Sequence, residues 1–260
     1  MKIKVKCPAK INLTLKVFKK DEITGFHPIE SIMQSVSLFD YLTVEENNSP
    51  GIIKLSGNSD EISYDENNLV YKAINLYFET AKIKNGGLNI YIEKNIPVAA
   101  GLAGGSTDAA GMIFALQHIY NNILSDNEIY NICKKLGSDI NFCYKGGSKK
   151  ATGKGDELED VLFKKFNLSI IKPKGLKIST KDAYFEFDNL KEKSNMPNDL
   201  EFALLFKHDE LQKLHALGFQ MSGSGPSFFV KKKYIDDNIK RDEYEIFENL
   251  VSINYGVSLV

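Results

Sequence analysis

Residues 97–111, PVAAGLAGGSTDAAG, follow an alternating apolar run and lead into an amphipathic one. Glycine lets backbone N–H groups crowd around a ligand with no side chain in the way. A helix start adds unpaired N–H donors and the positive end of the macrodipole. The combination is an anion site, most often a phosphate site. Ser106, Thr107 and Asp108 add hydroxyl and carboxylate oxygens at the expected helix start, where a hydrated Mg²⁺ beside a phosphate would find ligands. Neither common nucleotide fingerprint is met. No Gly-Lys-Ser/Thr follows the glycines, and the loop lies well inside the chain rather than in a first βαβ unit. Taken alone, the cluster reads equally as a tight strand-to-helix turn. A second small-residue loop, MSGSGPSFF at 221–229, shifts that balance, although by itself it reads as a hairpin turn. Arg241 is the only arginine, so bidentate guanidinium clamps are almost excluded. Two such loops in one chain without further arginines suggest one polyphosphate held from two sides by backbone amides, helix ends and lysines.

The elements that must position these loops can be read from periodicity. Ile3, Val5 and Cys7 alternate with lysines, and Ile11, Leu13, Leu15 and Val17 alternate again after Pro8, which predicts strands. On the second of these, Lys10, Asn12 and Thr14 share the face opposite the apolar residues. Further strands are expected at 41–44, 52–55, 88–92, 168–171 and 228–230. A first helix buries Leu69, Val70, Ala73, Leu76 and Tyr77, capped by Asn67 or Asn68. A second is expected to start at Ser106, and a third at Ser125, where Ser125 and Glu128 form a capping box and Gly137 is the stop. Helical patterns follow near 197–206, 210–217 and 236–250. The segment GGSKKATGKG at 146–155 is a domain seam or a loop of the site. Strands and helices mix without strict βαβ alternation, which predicts an α+β fold.

The 260 residues, 43% of them hydrophobic, suffice for one large domain or two modest ones. A net charge of −1 argues against a nucleic-acid scaffold or an anionic membrane surface as partner. Cys7, Cys133 and Cys143 are too few and too far apart for a disulfide framework or zinc site, and Cys133 reads as an inert core thiol. With no long apolar run at the N-terminus or elsewhere, a cytoplasmic protein is expected.

Three blocks resemble, in order and spacing, the motifs of the GHMP small-molecule kinases: PAKINL at 8–13, the loop at 97–110 and SGSGPS at 222–227. Finer segments resemble the branch that phosphorylates the tertiary C2 hydroxyl of a cytidine-diphosphate-linked methylerythritol in the non-mevalonate isoprenoid pathway. GFHPIES at 25–31 is similar to its D-G-[YF]-H-x-[IL]-x-S segment, LGSDINF at 136–142 to its L-G-A-D-V-P-F, and ATGKGDEL at 151–158 to its A-x-G-x-G-E-x-L. KISTKDAY at 177–184 and GVSL at 256–259 also match. In this chain Ala103 stands where a third glycine is usual, Asn141 replaces a proline, and Phe26 replaces the commoner tyrosine.

The resemblance implies an ATP-dependent enzyme with Mg²⁺ and a two-domain GHMP fold. Its N-terminal half (1–155) would resemble ribosomal protein S5 domain 2, and its C-terminal half (156–260) would be ferredoxin-like, as a monomer or weak homodimer. ATP would lie on Pro97, Val98, Ala99, Ala100, Gly101, Leu102, Ala103, Gly104, Gly105, Ser106 and Thr107, with Ser106 as a Mg²⁺ ligand. Asp139 becomes the candidate base. On local grounds alone it reads as a turn residue after Gly137. Lys10, otherwise one of many strand lysines, becomes its partner and stabilises charge as the alkoxide attacks. The substrate would contact Asn12, Phe26, His27, Thr180, Tyr184, Gly223, Ser224 and Gly225. Cytosine would stack between Phe26 and Tyr184, and His27 would read the base edge; without the resemblance, these rings read as core aromatics. Two alternatives remain: another GHMP kinase acting on mevalonate, phosphomevalonate or homoserine, and a non-catalytic nucleotide sensor on the same fold.

Overall fold

A long hairpin organises the chain. In the computed structural model, which describes residues 1–192, 194–236 and 238–260, β1 (Lys2–Val17) and β2 (Ile29–Glu46) pair antiparallel along nearly their whole lengths. The outer edge of β2 carries two further partners. β4 (Leu88–Glu93) pairs with its C-terminal half, with β3 (Ile53–Gly57) parallel beyond it. β5 (Ser148–Thr152) pairs with its N-terminal half, followed by β6 (Glu157–Asp160). A second antiparallel sheet has the order β10-β7-β9-β8, made of β7 (Asn167–Pro173), β8 (Gln220–Met221), β9 (Phe228–Val230) and β10 (Tyr244–Val251). The last strand, β11 (Ser258–Leu259), returns to β1 in the first sheet. The glycine-rich segment 146–155 is therefore a strand and loop of the first sheet rather than a gap between sheets.

The helices α1 (Leu69–Ala81), α2 (Gly104–Ile119), α3 (Asp126–Leu136) and α4 (Ile140–Lys145) supply apolar side chains to the core of the first sheet. Asn68 caps α1 through the Val70 N–H, and the expected Ser125–Glu128 capping box opens α3. Buried side chains of α5 (Thr180–Asp188), α6 (Asp199–Leu205) and α7 (Asp209–Ala216) belong to the same cluster, while a second cluster, including Ile11, Val36, Leu102, Ile170 and Phe229, lies between the sheets. Among the described residues, no helix is long and apolar enough to cross a membrane.

Three expectations are corrected. Ile11, Leu13, Leu15 and Val17 do not share a face. The pairing steps from Asn12 opposite Met33 to Thr14 opposite Ile32, so Leu13 is an extra, bulged residue. Ile11 consequently packs between the sheets while Leu15 and Val17 join the helix-side core. The second helix begins at Gly104 rather than Ser106, because left-handed backbone at Ala103, φ 60°, forms its cap instead of a hydroxyl. The expected helix at 236–250 is instead a 3₁₀ turn (Arg241–Glu243) followed by β10, where pairing with β7 overrides an apolar spacing compatible with either period. Asp237, within that range, lies outside the described residues.

Helix α2 sits close on β1 because Gly111 has no side chain. A Cβ there would lie 2.3 Å from Cys7 Sγ. Gly111→Ala is expected to cost about 1–3 kcal/mol in urea unfolding, and pairing it with Cys7→Ala should recover most of the loss.

Candidate functional site

On the helix side of the first sheet opens a cavity of about 820 Å³, lined at different points by Lys10, Asn12, Gly101, Asp139, Tyr184 and Gly223. Lys10 and Asn12 reach it from β1 beside the Leu13 bulge. Lys10 is 4% exposed and Asn12 2%, so neither is a solvated strand residue. Lys10 Nζ donates to Asn12 Oδ1 at 2.7 Å, and Asn12 Nδ2 donates to Ser31 Oγ at 2.7 Å. Lys10 Nζ also stands 3.5 Å from Asp139 Oδ2.

Asp139 occupies the N-cap position of α4, yet its side chain makes no capping bond. The backbone turns here, as the local reading expects, and the carboxylate faces Lys10. Ile140, Phe142 and Cys143 anchor the following turn in the core. Asn141, in place of the usual proline, is 2% exposed and donates to the Asp156 carbonyl at 3.1 Å, which ties this segment to the 153–156 loop. Burial, and then the Asp139 charge, push the Tyr184 hydroxyl up to about 12.

The loop before α2 has an alternating backbone. Ala99, Gly101 and Ala103 have φ values of 51°, 73° and 60°, while the residues between them keep negative φ. Such alternation turns successive N–H groups to one side as an anion-binding nest. An L-alanine in this region costs about 1–2 kcal/mol, so two alanines here store strain at the loop. Gly101 cannot be replaced by a larger residue, since a Cβ would lie 2.2 Å from the Ser222 carbonyl oxygen.

Of the residues expected on ATP, Ala99, Ala100, Gly101, Ala103, Gly104, Gly105 and Ser106 line the cavity, whereas Pro97, Val98, Leu102 and Thr107 do not. Leu102 packs between the sheets, and Thr107 is fully buried. Asp108 also turns inward, so of the three oxygen-bearing side chains expected at the helix start Ser106 alone faces the cavity. Phe26, His27, Thr180, Tyr184, Gly223, Ser224 and Gly225 all line it. Phe26 is 55% exposed and carries the Lys154 ammonium 3.9 Å from its ring centroid, while Thr180 Oγ1 and Ser224 Oγ are 3.0 Å apart.

Two residues that hold the loops together were not singled out from the sequence. Ser222 Oγ accepts the Asn12 N–H at 3.3 Å and donates to the Gly101 carbonyl at 3.0 Å. Asn198, fully buried, donates to the Met221 and Gly223 carbonyls at 2.9 Å each, while its Oδ1 caps α6. The motifs at 8–13, 97–110 and 222–227 are thus one hydrogen-bonded assembly.

Beneath the loop lies a buried ion cluster. Lys94 Nζ donates to Asp108 Oδ2 at 2.8 Å and to Asp40, and Asp40 Oδ1 accepts the Asn95 and Ile96 N–H groups at 2.6 and 2.8 Å. Burial pushes the Asp108 carboxyl to about 8, against the pull of Lys94.

Residues 68–147 match the family model described as GHMP kinases N terminal domain. The 4-diphosphocytidyl-2-C-methyl-D-erythritol kinase of Thermoanaerobacter pseudethanolicus is 40% identical over 256 residues, covering 88% of this chain and 86% of its own. That of Clostridioides difficile is 35% identical over 284 residues, covering 97% and 95%. A crystal structure of 4-(cytidine 5'-diphospho)-2C-methyl-D-erythritol kinase superposes with a TM-score of 0.78 at 28% identity, covering 98% of this chain and 100% of the other. A homoserine kinase from Cytophaga hutchinsonii shares the fold, with a TM-score of 0.71 at 19% identity over 100% of this chain and 97% of its own. The sheets and the glycine loop define a GHMP kinase, a class whose phosphate donor is ATP. Within that class, the chain belongs to the 4-diphosphocytidyl-2-C-methyl-D-erythritol kinase family.

The ion cluster generates a pH prediction. With its carboxyl raised from 3.8 to about 8, Asp108 keeps a proton in the folded protein where the unfolded chain has lost it, so its contribution to stability falls as pH rises through that window. Asp108→Asn should flatten this decline, measured as the difference between wild-type and variant unfolding free energies from pH 5 to 8.

Proposed function

We propose that the protein transfers the γ-phosphoryl group of ATP to the C2 hydroxyl of 4-diphosphocytidyl-2-C-methyl-D-erythritol, with Asp139 as base and Lys10 as its charge partner. The observation that carries this reading is the 3.5 Å Lys10–Asp139 pair on a cavity with a phosphate loop on one side and aromatic rings with a histidine on the other. Phosphoryl transfer asks for placement and neutralised charge more than covalent help from the protein. Asp139 takes the hydroxyl proton as the alcohol oxygen bonds to the γ-phosphorus. The bond from that phosphorus to the β–γ bridging oxygen breaks, and ADP leaves with the electron pair. Lys10 is held by Asn12 in position to stabilise charge on the attacking oxygen. The N–H groups around Gly101, Gly104 and Gly105 cradle the phosphates, with Gly223 and Gly225 approaching from the facing loop.

Mg²⁺ binds nucleotide phosphates with one or two protein ligands and several waters. No cluster of three or more His, Cys, Asp or Glu side chains suited to a metal exists among the described residues, so a site shared with phosphate oxygens is the kind that fits. Ser106 would hold the ion, which when bound neutralises charge on the phosphates. Phe26 and Tyr184 flank the cytosine ring, and His27 meets its edge; stacking suits a flat base.

The test is ATP consumption with the cytidyl substrate, mevalonate, phosphomevalonate and homoserine in parallel. Turnover with the cytidyl substrate alone is expected, and Asp139→Asn should lower kcat by about 10²–10⁴. Turnover with mevalonate or homoserine instead contradicts the substrate assignment. ATP binding without turnover of any of the four contradicts the enzyme reading.

A further inference from the structure

His27 is held by a helix from elsewhere in the chain. It belongs to the connection between β1 and β2, whereas its partner Asp188 is the last residue of α5, far along the chain. His27 Nε2 and Asp188 Oδ1 are 2.7 Å apart, with the imidazole 6% and the carboxylate 44% exposed. The ring also lies against Tyr184, with centroids 5.0 Å apart and planes at 32°, and edge-on to Phe187 at 6.0 Å. Tyr184, Phe187 and Asp188 follow the i, i+3, i+4 spacing of one helix face, so a single face of α5 forms the socket for the imidazole.

The chemistry of this contact is directional. An ionised carboxylate only accepts hydrogen bonds, so the nitrogen facing it carries the proton, and the other nitrogen of a neutral imidazole is a bare acceptor. Among the described residues no protein group bonds Nδ1, and His27 lines the cavity. A fixed acceptor distinguishes pyrimidines at one position. Cytosine presents an amino donor where uracil presents a carbonyl acceptor. A bare ring nitrogen pairs with the amine and opposes the carbonyl.

We propose that Asp188 is a positioning residue that locks His27 as the Nε2–H tautomer, so that the ring nitrogen left bare selects a cytosine-bearing substrate over its uracil counterpart. This rests on the reading in which His27 meets the base edge. Asp188 touches neither the base nor the reacting atoms. It acts through the ring it orients, as the partners of metal-bound histidines act through theirs.

The experiment has two arms. Long-range ¹H–¹⁵N NMR of the histidine rings in ligand-free protein, with His27 assigned by substitution, reports the tautomer without any substrate. The expected spectrum is neutral Nε2–H in the wild type and a tautomer mixture in Asp188→Ala. An Nδ1–H ring in the wild type, or an unchanged spectrum in Asp188→Ala, overturns the proposal. The second arm compares turnover of the cytidyl substrate with that of its uridyl analogue. Asp188→Ala should raise KM for the cytidyl substrate about tenfold, reduce the cytidine preference by a similar factor and leave kcat within about twofold. Asp188→Glu, which keeps an acceptor, should hold the preference near the wild-type value, and a loss equal to that of the alanine variant counts against the proposal. An unchanged preference in Asp188→Ala, beside a selective wild type, overturns the role of Asp188 alone. A wild type indifferent to the base overturns the reading of His27 itself, and the NMR arm still reports its tautomer.

Discussion

The site hangs on the hydroxyl of Ser222. It sits fully buried where three chain segments meet, accepting from the Asn12 backbone and donating to the Gly101 carbonyl. Around it, the Lys10 N–H donates to the Leu102 carbonyl at 3.1 Å and the Ser227 N–H to the Ala100 carbonyl at 3.3 Å. The two glycine loops alone are short runs of mostly small residues with little apolar surface to bury. Held against one another, their backbone polar groups are paired inside the protein, where an unpaired group costs about 1–3 kcal/mol. That constraint brings the Lys10 ammonium, the Asp139 carboxylate and the strained loop before α2 onto one cavity.

Charge is distributed to match. With one arginine in the chain, the proposed phosphate cradle rests on backbone amides, and buried charge is compensated locally. Lys94 serves two carboxylates below the loop, while Lys10 is shared between Asn12 and Asp139 above it. The Leu13 bulge makes this separation possible. It lets β1 pack Ile11 between the sheets and Leu15 on the helical side, and still turn Lys10 and Asn12 to the cleft.

How much of this could be read beforehand depends on whether local or distant parts of the chain decide it. The glycine loop, the Ser125–Glu128 box and the α3 stop at Gly137 are set within a few residues, and the sequence shows them. So is the identity of Lys10, Asn12 and Asp139 as candidates, once the motifs are compared with a family. The bulge at Leu13 is invisible in an alternating pattern, because only the partner strand shows that a residue is extra. The segment 236–250 carries apolar residues at spacings that suit a helix or a strand, and the free edge of β7 decides between them. Ser222 lies inside the SGSGPS motif, but a serine's role as a bridge between loops is a property of tertiary placement. The pairing of Asp188 with His27 is likewise a contact between distant elements and carries no local signal.

In the proposed mechanism Lys10 and Asp139 act as one unit on the acceptor hydroxyl. It is tested most directly by single-turnover rates, at saturating ATP and cytidyl substrate, for wild type, Lys10→Met, Asp139→Asn and the double variant. Residues that act together are strongly non-additive. A double variant about as slow as the slower single variant is expected. A double variant slowed by the product of the two single effects would mean that the two residues act independently, and would contradict it.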